Sequence, residues 1–449
     1  MTRRKKKEIT GIIKENRFPN KSIMEADNKK YIFKGGIKGQ EVRIVTQRRK
    51  KDYTEAKLVE ILSKSEIERR IPCPPFGICG GCAYQTLEYE EELKLKGEML
   101  ENLYSDIYSK EIIINPSPSS TAYRNKMEYS FGDREKGGEL TLGMHSKGRF
   151  YEICETDNCN IVNEGYEIIR KAVQNYFREN NTLFYKKRNH EGFLRHLIVR
   201  YSFSENEYMV NLVTTSQEEL NKEEFIELLL GLKLDGKIKT IIHTGNDSLS
   251  DAVVPEKVDI LFGDGYLTEK LLGLEFQISP FSFFQPNPKA AEVLYSKALE
   301  FAGNINNKTV FDLYSGTGTI GQIFSQKAKK VIGIEIVEEA VEKARETCKL
   351  NNISNAEFIA GDVLEKIEEL KDQADIIVLD PPRDGIHPKA IKKIINIKSE
   401  KFVYISCNPV TQVRDLKIFL ENGYKLEKME LVDQFPRTVH VEALALLTK

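Results

Sequence analysis

The chain has 449 residues, 40% hydrophobic and 30% charged, with 29 Gly and 15 Pro, a composition that excludes disordered and fibrous classes and a length that suits two to four domains. The formal net charge of −1 conceals an asymmetry, because residues 1–51 hold 17 Lys/Arg against 5 Asp/Glu and the remainder is correspondingly acidic. A basic end on an acidic body is the footprint of a polyanion binder, with RNA the expected partner and a solvated Lys-rich tail the bland alternative.

No apolar run reaches the roughly 18 residues a membrane helix needs, and the basic start is not followed by a signal-peptide core. The chain therefore reads as cytoplasmic, with no membrane association and no obligate protein partner implied. From about residue 8 to 62, apolar and polar positions alternate, as in KKYIFKG and EVRIVTQ, with turns at DNKK and GGIKGQ. This predicts short strands of a small β-barrel, with Arg48, Arg49, Lys50 and Lys51 at a hairpin tip.

Next comes the run CPPFGICGGC, holding Cys73, Cys79 and Cys82. Pro74 and Pro75 forbid helix there, and the glycines allow sharp turns around a bound centre. Three thiolates on one loop want a fourth ligand, which Cys154 or Cys159 can supply; four sulfurs suit an iron-sulfur cluster and zinc alike. Residues 89–107 read as an amphipathic helix. From 123 to 262, β-rich stretches such as HLIVRYSF and EYMVNLV are interrupted by helical patterns near 164–178 and 217–232, an α+β middle.

Beyond about residue 276, strands alternate with helices: TVFDLYS, KKVIGIEI, AEFIAGD, DIIVLDPP, KFVYISC and a final EALALLT. This predicts a doubly wound parallel sheet, in which strand carboxyl ends carry the ligands. The first strand runs into a Gly-rich turn with Gly316 and Gly318, the second ends in Glu335 and the third in Asp362. A carboxylate at the second strand end can accept both ribose hydroxyls, and one at the third can meet an adenine amino group. No lysine follows the glycines to hold a triphosphate, so the strand ends describe an adenosine ligand, with helix capping as the structural alternative for the two carboxylates. S-adenosylmethionine fits better than a dinucleotide, because the later strands end in Asp380 and Cys407, and HVE places Glu442 before the last strand. A thiol nucleophile beside a carboxylate base is methyl-transfer chemistry, provided nearby positive charge favours ionisation of the thiol. His440 can orient the base or simply pack.

These motifs together resemble the RNA uracil-5-methyltransferase family over nearly the whole chain. The resemblance implies a small RNA-binding TRAM (OB-like) barrel at 1–62. It implies a central α+β domain with iron-sulfur cysteines at 63–270, whose helix near 85–116 is placed to pack on the catalytic domain. It implies a Rossmann-like class I methyltransferase domain at 271–449. It also implies S-adenosylmethionine contacts from Gln285, Tyr314, Gly316, Gly318, Glu335, Asp362 and Asp380, with Cys407 as nucleophile and Glu442 as base. A [4Fe-4S] cluster on Cys73, Cys79, Cys82 and Cys159 is implied by the ribosomal RNA branch, with zinc the competitor. Transfer RNA members generally lack the barrel and the cysteines, so the expected substrate is 23S ribosomal RNA. Ser315, Thr317, Pro382 and a shortened first barrel hairpin depart from the family pattern. Arg383 replaces the aromatic residue of amino-group methyltransferases; a cytosine-5-methyltransferase and a non-catalytic RNA-binding module are the rival readings.

Overall fold

A computed structural model describes residues 6–370 and 373–449, apart from the side chain of Phe150; Arg3, Arg4 and Lys5 of the basic start lie outside the described residues. Strands β1 (Glu8–Arg17), β2 (Lys21–Ala26), β3 (Lys29–Lys34), β4 (Glu41–Arg49) and β5 (Thr54–Ser63) close into a barrel in the order β1-β2-β3-β5-β4. Alternate residues point inward, so Ile13, Met24, Tyr31, Phe33, Val42 and Ile44 form its core, each contributing about 2 kcal/mol of apolar burial. Asp27 and Asn28 turn β2 into β3 at positive φ, a conformation their short polar side chains tolerate.

Helix α1 (Tyr89–Tyr104) and the short β6 (Ile113–Asn115) follow the cysteine loop. A second sheet has the order β13-β12-β11-β10-β7-β8-β9. It is built from β7 (Lys126–Gly132), β8 (Thr141–Ser146), β9 (Arg149–Cys154), β10 (Leu194–Ser202), β11 (Glu207–Thr214), β12 (Lys237–Gly245) and β13 (Lys257–Phe262). Helices α2 (Glu164–Glu179) and α3 (Lys222–Leu230) cover it, burying Tyr166, Ile169, Val173, Phe177 and Phe225 against Leu197, Val199, Val210 and Leu212. Asn221 caps α3, so the helix starts five residues later than the apolar pattern from 217 suggests.

After the hairpin β14 (Leu267–Leu271) and β15 (Leu274–Ile278), the chain enters the third sheet. Its elements are α4 (Pro288–Ala302), β16 (Thr309–Leu313), α5 (Thr319–Ser325), β17 (Lys330–Glu335), α6 (Glu338–Leu350), β18 (Ala356–Ala360), α7 (Val363–Glu369), β19 (Ile376–Leu379), α8 (Pro388–Asn396), β20 (Lys401–Ser406), α9 (Pro409–Glu421), β21 (Lys425–Val432) and β22 (Glu442–Thr448). The strand order is β18-β17-β16-β19-β20-β22-β21-β6. Period-two alternation feeds two cores: Phe311, Ile332, Ile377 and Phe402 face one side with α1, α8 and α9, while Val310, Val331, Ile376 and Val403 face the other with α4 and α5.

The sheet corrects the expectation of a purely parallel array. Strands β16 to β20 are parallel, but β22 lies antiparallel to both β20 and β21. No helix separates β21 from β22, and without a crossover a neighbouring strand returns antiparallel. Strand β21 itself, KLEKMELV, was not anticipated, nor was the pairing of β6 along it. Among the described residues no helix is long and apolar enough to cross a membrane.

Candidate active site

The carboxyl ends of β16, β17, β18, β19 and β20 build one rim. Asp312, the penultimate residue of β16, is fully buried; its Oδ2 accepts the Gly321 N–H at 2.8 Å, which fixes the start of α5 under the glycine turn. Its Oδ1 has no partner, and burial pushes the carboxyl up to about 7. Gly318 stands at φ 75°, and a Cβ there would meet the Phe358 ring at 2.6 Å, whereas the space over Gly316 is open. Gly318 thus makes room for the Phe358 ring, while Gly316 faces open space. Tyr314, at φ 66°, holds its N–H on the Ile334 carbonyl, and its hydroxyl is pushed up to about 12 by burial and then by Asp362.

Glu335 accepts the Gly316 N–H on one oxygen (2.9 Å) and the Val337 N–H on the other (3.0 Å), which orients the carboxylate at the mouth of the turn. Beside it the apolar side chains of Ile336 and Val337 are exposed. Asp362 caps α7 through Oδ1 to the Leu364 N–H at 2.8 Å, so the capping alternative holds for one of its oxygens. Gln285 closes the other flank: Gln434 donates to its side chain at 3.4 Å and Asn125 to its carbonyl at 3.1 Å.

Cys407 follows β20 directly and precedes Asn408, the cap of α9, whose side chain accepts the Val410 N–H and donates to the Arg383 carbonyl at 2.8 Å. The thiol therefore lies at a helix N-terminus, and the Arg383 side chain hydrogen-bonds to it. Burial nevertheless pushes it up to about 11, helped by the charges of Glu442 and Asp380 and opposed by Arg383. The positive charge expected from the sequence is present, but burial and two carboxyls outweigh it. Glu442, 4% exposed, is raised well above the usual carboxylate range by burial first and Asp380 second, while Asp380 itself is pushed up to about 7 by burial. The structure thus brings Cys407, Glu442, Asp380 and Arg383 into one cluster. Tyr295 of α4, hydrogen-bonded to Gln285 and sensing the charges of Asp380 and Glu442, joins the two halves of the site. His440 packs edge-on against Phe435 and is lowered by burial and then Arg383.

The segment before Glu442 is clamped from α1. Lys96, fully buried, lies 2.7 Å from both Glu92 and Asp433, and Glu92 accepts the Arg437 N–H at 2.7 Å. Asp312, Tyr295, Gln434 and this ion network escaped the sequence reading; the only signal was the i, i+4 spacing of Glu92 and Lys96, which usually marks a surface pair.

The cysteine loop lies against the second sheet. Gln85 and Asn160 exchange two hydrogen bonds, at 2.7 and 2.9 Å, tying the Cys82 segment to that of Cys159, and the Gln85 amide also donates to the Cys82 sulfur at 3.4 Å. Cys73, Cys79 and Cys159 all influence Cys82, while Cys79 hydrogen-bonds with Cys154. Five thiols share this neighbourhood, but among the described residues no three His, Cys, Asp or Glu side chains stand in metal-holding geometry.

The glycine turn, the strand-end carboxylates and the thiol share one rim of a Rossmann-like methyltransferase fold. The family model described as tRNA (uracil-5-)-methyltransferase matches residues 88–449, and the chain belongs to that family. An uncharacterised RNA methyltransferase of Clostridium tetani is 48% identical, covering 99% of this chain and 98% of its own; one of Caldanaerobacter subterraneus is 46% identical, covering 98% of each. The crystal structure of Pyrococcus abyssi tRNA (uracil-54, C5)-methyltransferase with S-adenosyl-L-homocysteine is 25% identical, has a TM-score of 0.77, and covers 98% of this chain and 100% of its own.

Proposed function

We propose that the protein transfers a methyl group from S-adenosylmethionine to carbon 5 of a uridine in RNA, most specifically 23S ribosomal RNA. The observation that carries this is the facing of the Cys407 thiol and the buried Glu442 carboxyl at the rim shared with the glycine turn. Carbon 5 of uracil is too weakly nucleophilic to take a methyl group unaided. The Cys407 thiolate adds to carbon 6, and the electrons displaced from the 5,6 double bond form an enolate. Bound S-adenosylmethionine would supply the methyl group to carbon 5 and leave as S-adenosylhomocysteine, the electron pair of the broken carbon–sulfur bond remaining on sulfur. Glu442, ionised by then, removes the proton from carbon 5; the electron pair re-forms the double bond and expels the thiolate. Asp380 is placed to hold the base and the cofactor in register. Glu335, Tyr314, Gln285, Asp362, Gly318, the unpartnered Asp312 Oδ1 and the open turn at Gly316 would hold S-adenosylmethionine, with the Glu335 carboxylate suited to ribose hydroxyls.

Cys73, Cys79, Cys82 and Cys159 fit a [4Fe-4S] cluster by donor chemistry and by the Gln85–Asn160 tether that favours Cys159 over Cys154; zinc suits the same donors. The methyl transfer needs no redox step, so the cluster would serve structure or RNA positioning. Iron and acid-labile sulfide after anaerobic purification, lost in Cys159→Ser but retained in Cys154→Ser, test this assignment.

Transfer RNA is the second reading, favoured by one finding. The archaeal enzyme that acts on tRNA aligns over 98% of this chain, so the N-terminal barrel does not by itself separate the two substrates. Incubation with methyl-labelled S-adenosylmethionine and unmodified 23S ribosomal RNA or tRNA, followed by nucleoside mapping, decides. We expect 5-methyluridine in ribosomal RNA, abolished by Cys407→Ala while cofactor binding survives. Product only in tRNA transfers the reading to that substrate, and 5-methylcytidine overturns it.

A further inference from the structure

A cavity of about 530 Å³ opens in the middle sheet, and neither Cys407 nor Glu442 lines it. Its size falls in the range of ligand pockets, and its lining combines aromatic faces with cations. Three cation–aromatic pairs surround it: Arg188 over Tyr151 at 5.5 Å, Lys186 over Phe184 at 5.6 Å and Arg195 over Tyr185 at 4.5 Å. Such pairs occur about once per 70–80 residues, so three around one cavity mark a built feature. Tyr151 is 60% exposed, an uncommon setting for a ring on a strand.

The floor is polar and preorganised. Ser130 Oγ lies 3.3 Å from both His145 Nε2 and His196 Nδ1, and Asp251 is ion-paired with Lys187 at 2.6 Å. Buried Arg195 spends its terminal nitrogens on the carbonyls of Asn246, Ser248 and Ser250, but its Nε has no partner. Aromatic walls suit the face of a base, the floor offers donors and acceptors to its edge, and Lys136 and Lys186 stand exposed to meet phosphate.

We propose that this cavity is a second nucleotide subsite, holding an unstacked nucleotide of the RNA substrate distinct from the reacting uridine. The inference rests on the RNA-methylation reading and adds a specificity element to it. Strand β10 supplies the physical link. It lines the cavity with Arg195 and His196, and its Arg200 donates to the carbonyls of Pro280 (3.3 Å) and Ser282 (2.6 Å), in the segment that leads to Gln285. Four residues of strand, about 13 Å at about 3.3 Å each, separate His196 from Arg200. The cysteine loop braces the opposite wall, since Gly80 N–H donates to the His145 carbonyl (3.3 Å) and Lys147 N–H to that of Ile78 (2.7 Å).

The test uses the full chain with unmodified 23S ribosomal RNA and tRNA transcripts. Ultraviolet cross-linking and peptide mapping should place a nucleotide on Tyr151 or Phe184. Tyr151→Ala should weaken RNA binding about tenfold, Tyr151→Phe should restore it, and S-adenosylhomocysteine affinity should be unchanged in both. Unchanged RNA affinity with cross-links only elsewhere overturns the subsite. Free AMP or UMP that fills the cavity without competing with RNA overturns its assignment to RNA in favour of a free nucleotide. Binding is read without turnover, so RNA bound at Tyr151 but never methylated refutes the proposed reaction alone, and no affinity for either RNA refutes both.

Discussion

Cys407, the nucleophile of the proposed reaction, sits where burial opposes its ionisation. Burial raises the thiol to about 11, and it also raises the Glu442 carboxyl beside it well above the usual carboxylate range. In the proposed reaction the thiol must lose its proton before it adds to the base, so single-turnover methylation should climb with pH between 7 and 9; a flat profile would refute the burial argument. Arg383 opposes the rise at Cys407 through its charge and its hydrogen bond. Arg383→Ala should therefore push the thiol still higher and slow methylation about tenfold at pH 8, with part of the loss recovered at pH 9, in line with the strength of a hydrogen bond to a charged group. Identical profiles for the two proteins would remove Arg383 from the mechanism. Glu442→Gln should stop the sequence after methyl transfer, leaving RNA covalently attached to Cys407. A denaturing gel should show the shifted species, and free protein alone would count against Glu442 as the base.

Helix α1 is the element that holds the catalytic segment. Its Lys96 neutralises Glu92 and Asp433, all three out of reach of water. Lys96→Met leaves buried Asp433 without a cation, while Glu92 keeps Arg437 at 3.3 Å; the loss should be about 3 kcal/mol, and the Tm should fall by several degrees. A fall under 2 °C would mean that the ion network is dispensable. This element also shows where sequence reading ended. The periodicity of α1 was legible, but Glu92 and Lys96 carry the same pattern as a solvent-facing pair, and only the approach of Asp433 and Arg437, more than 330 residues later, turns it inward. The strand ends bearing Gly316, Glu335, Asp380 and Cys407 were readable because each closes an apolar run. β21 was not, because its first half alternates charged residues at a half-exposed edge, and β6 has only three residues. Asp312 and Tyr295 were hidden for a related reason: each looks like ordinary core until its neighbours from other elements are in place.

For the whole molecule the charge asymmetry predicts how RNA binding responds to salt. Arg48 and Arg49 at the end of β4 and Lys51 in the turn are exposed, while Lys50 is already paired with Glu55 at 3.3 Å. Replacing Arg48, Arg49 and Lys51 together by Ala should lower the slope of log affinity against log salt by about 2, with little change at the methyl-transfer step; an unchanged slope would place the phosphate contacts elsewhere. The pairing of β6 with β21 bears on how such a protein can be recombined. The barrel is one uninterrupted stretch of chain, so it could be traded between relatives as a cassette spliced after Ser63. The catalytic sheet is not, since its outermost strand and its clamping helix are encoded some 200 residues ahead of β16. A chimera that grafts only the later half would inherit Cys407 and Glu442, the proposed nucleophile and base, without the parts that hold the loop between them.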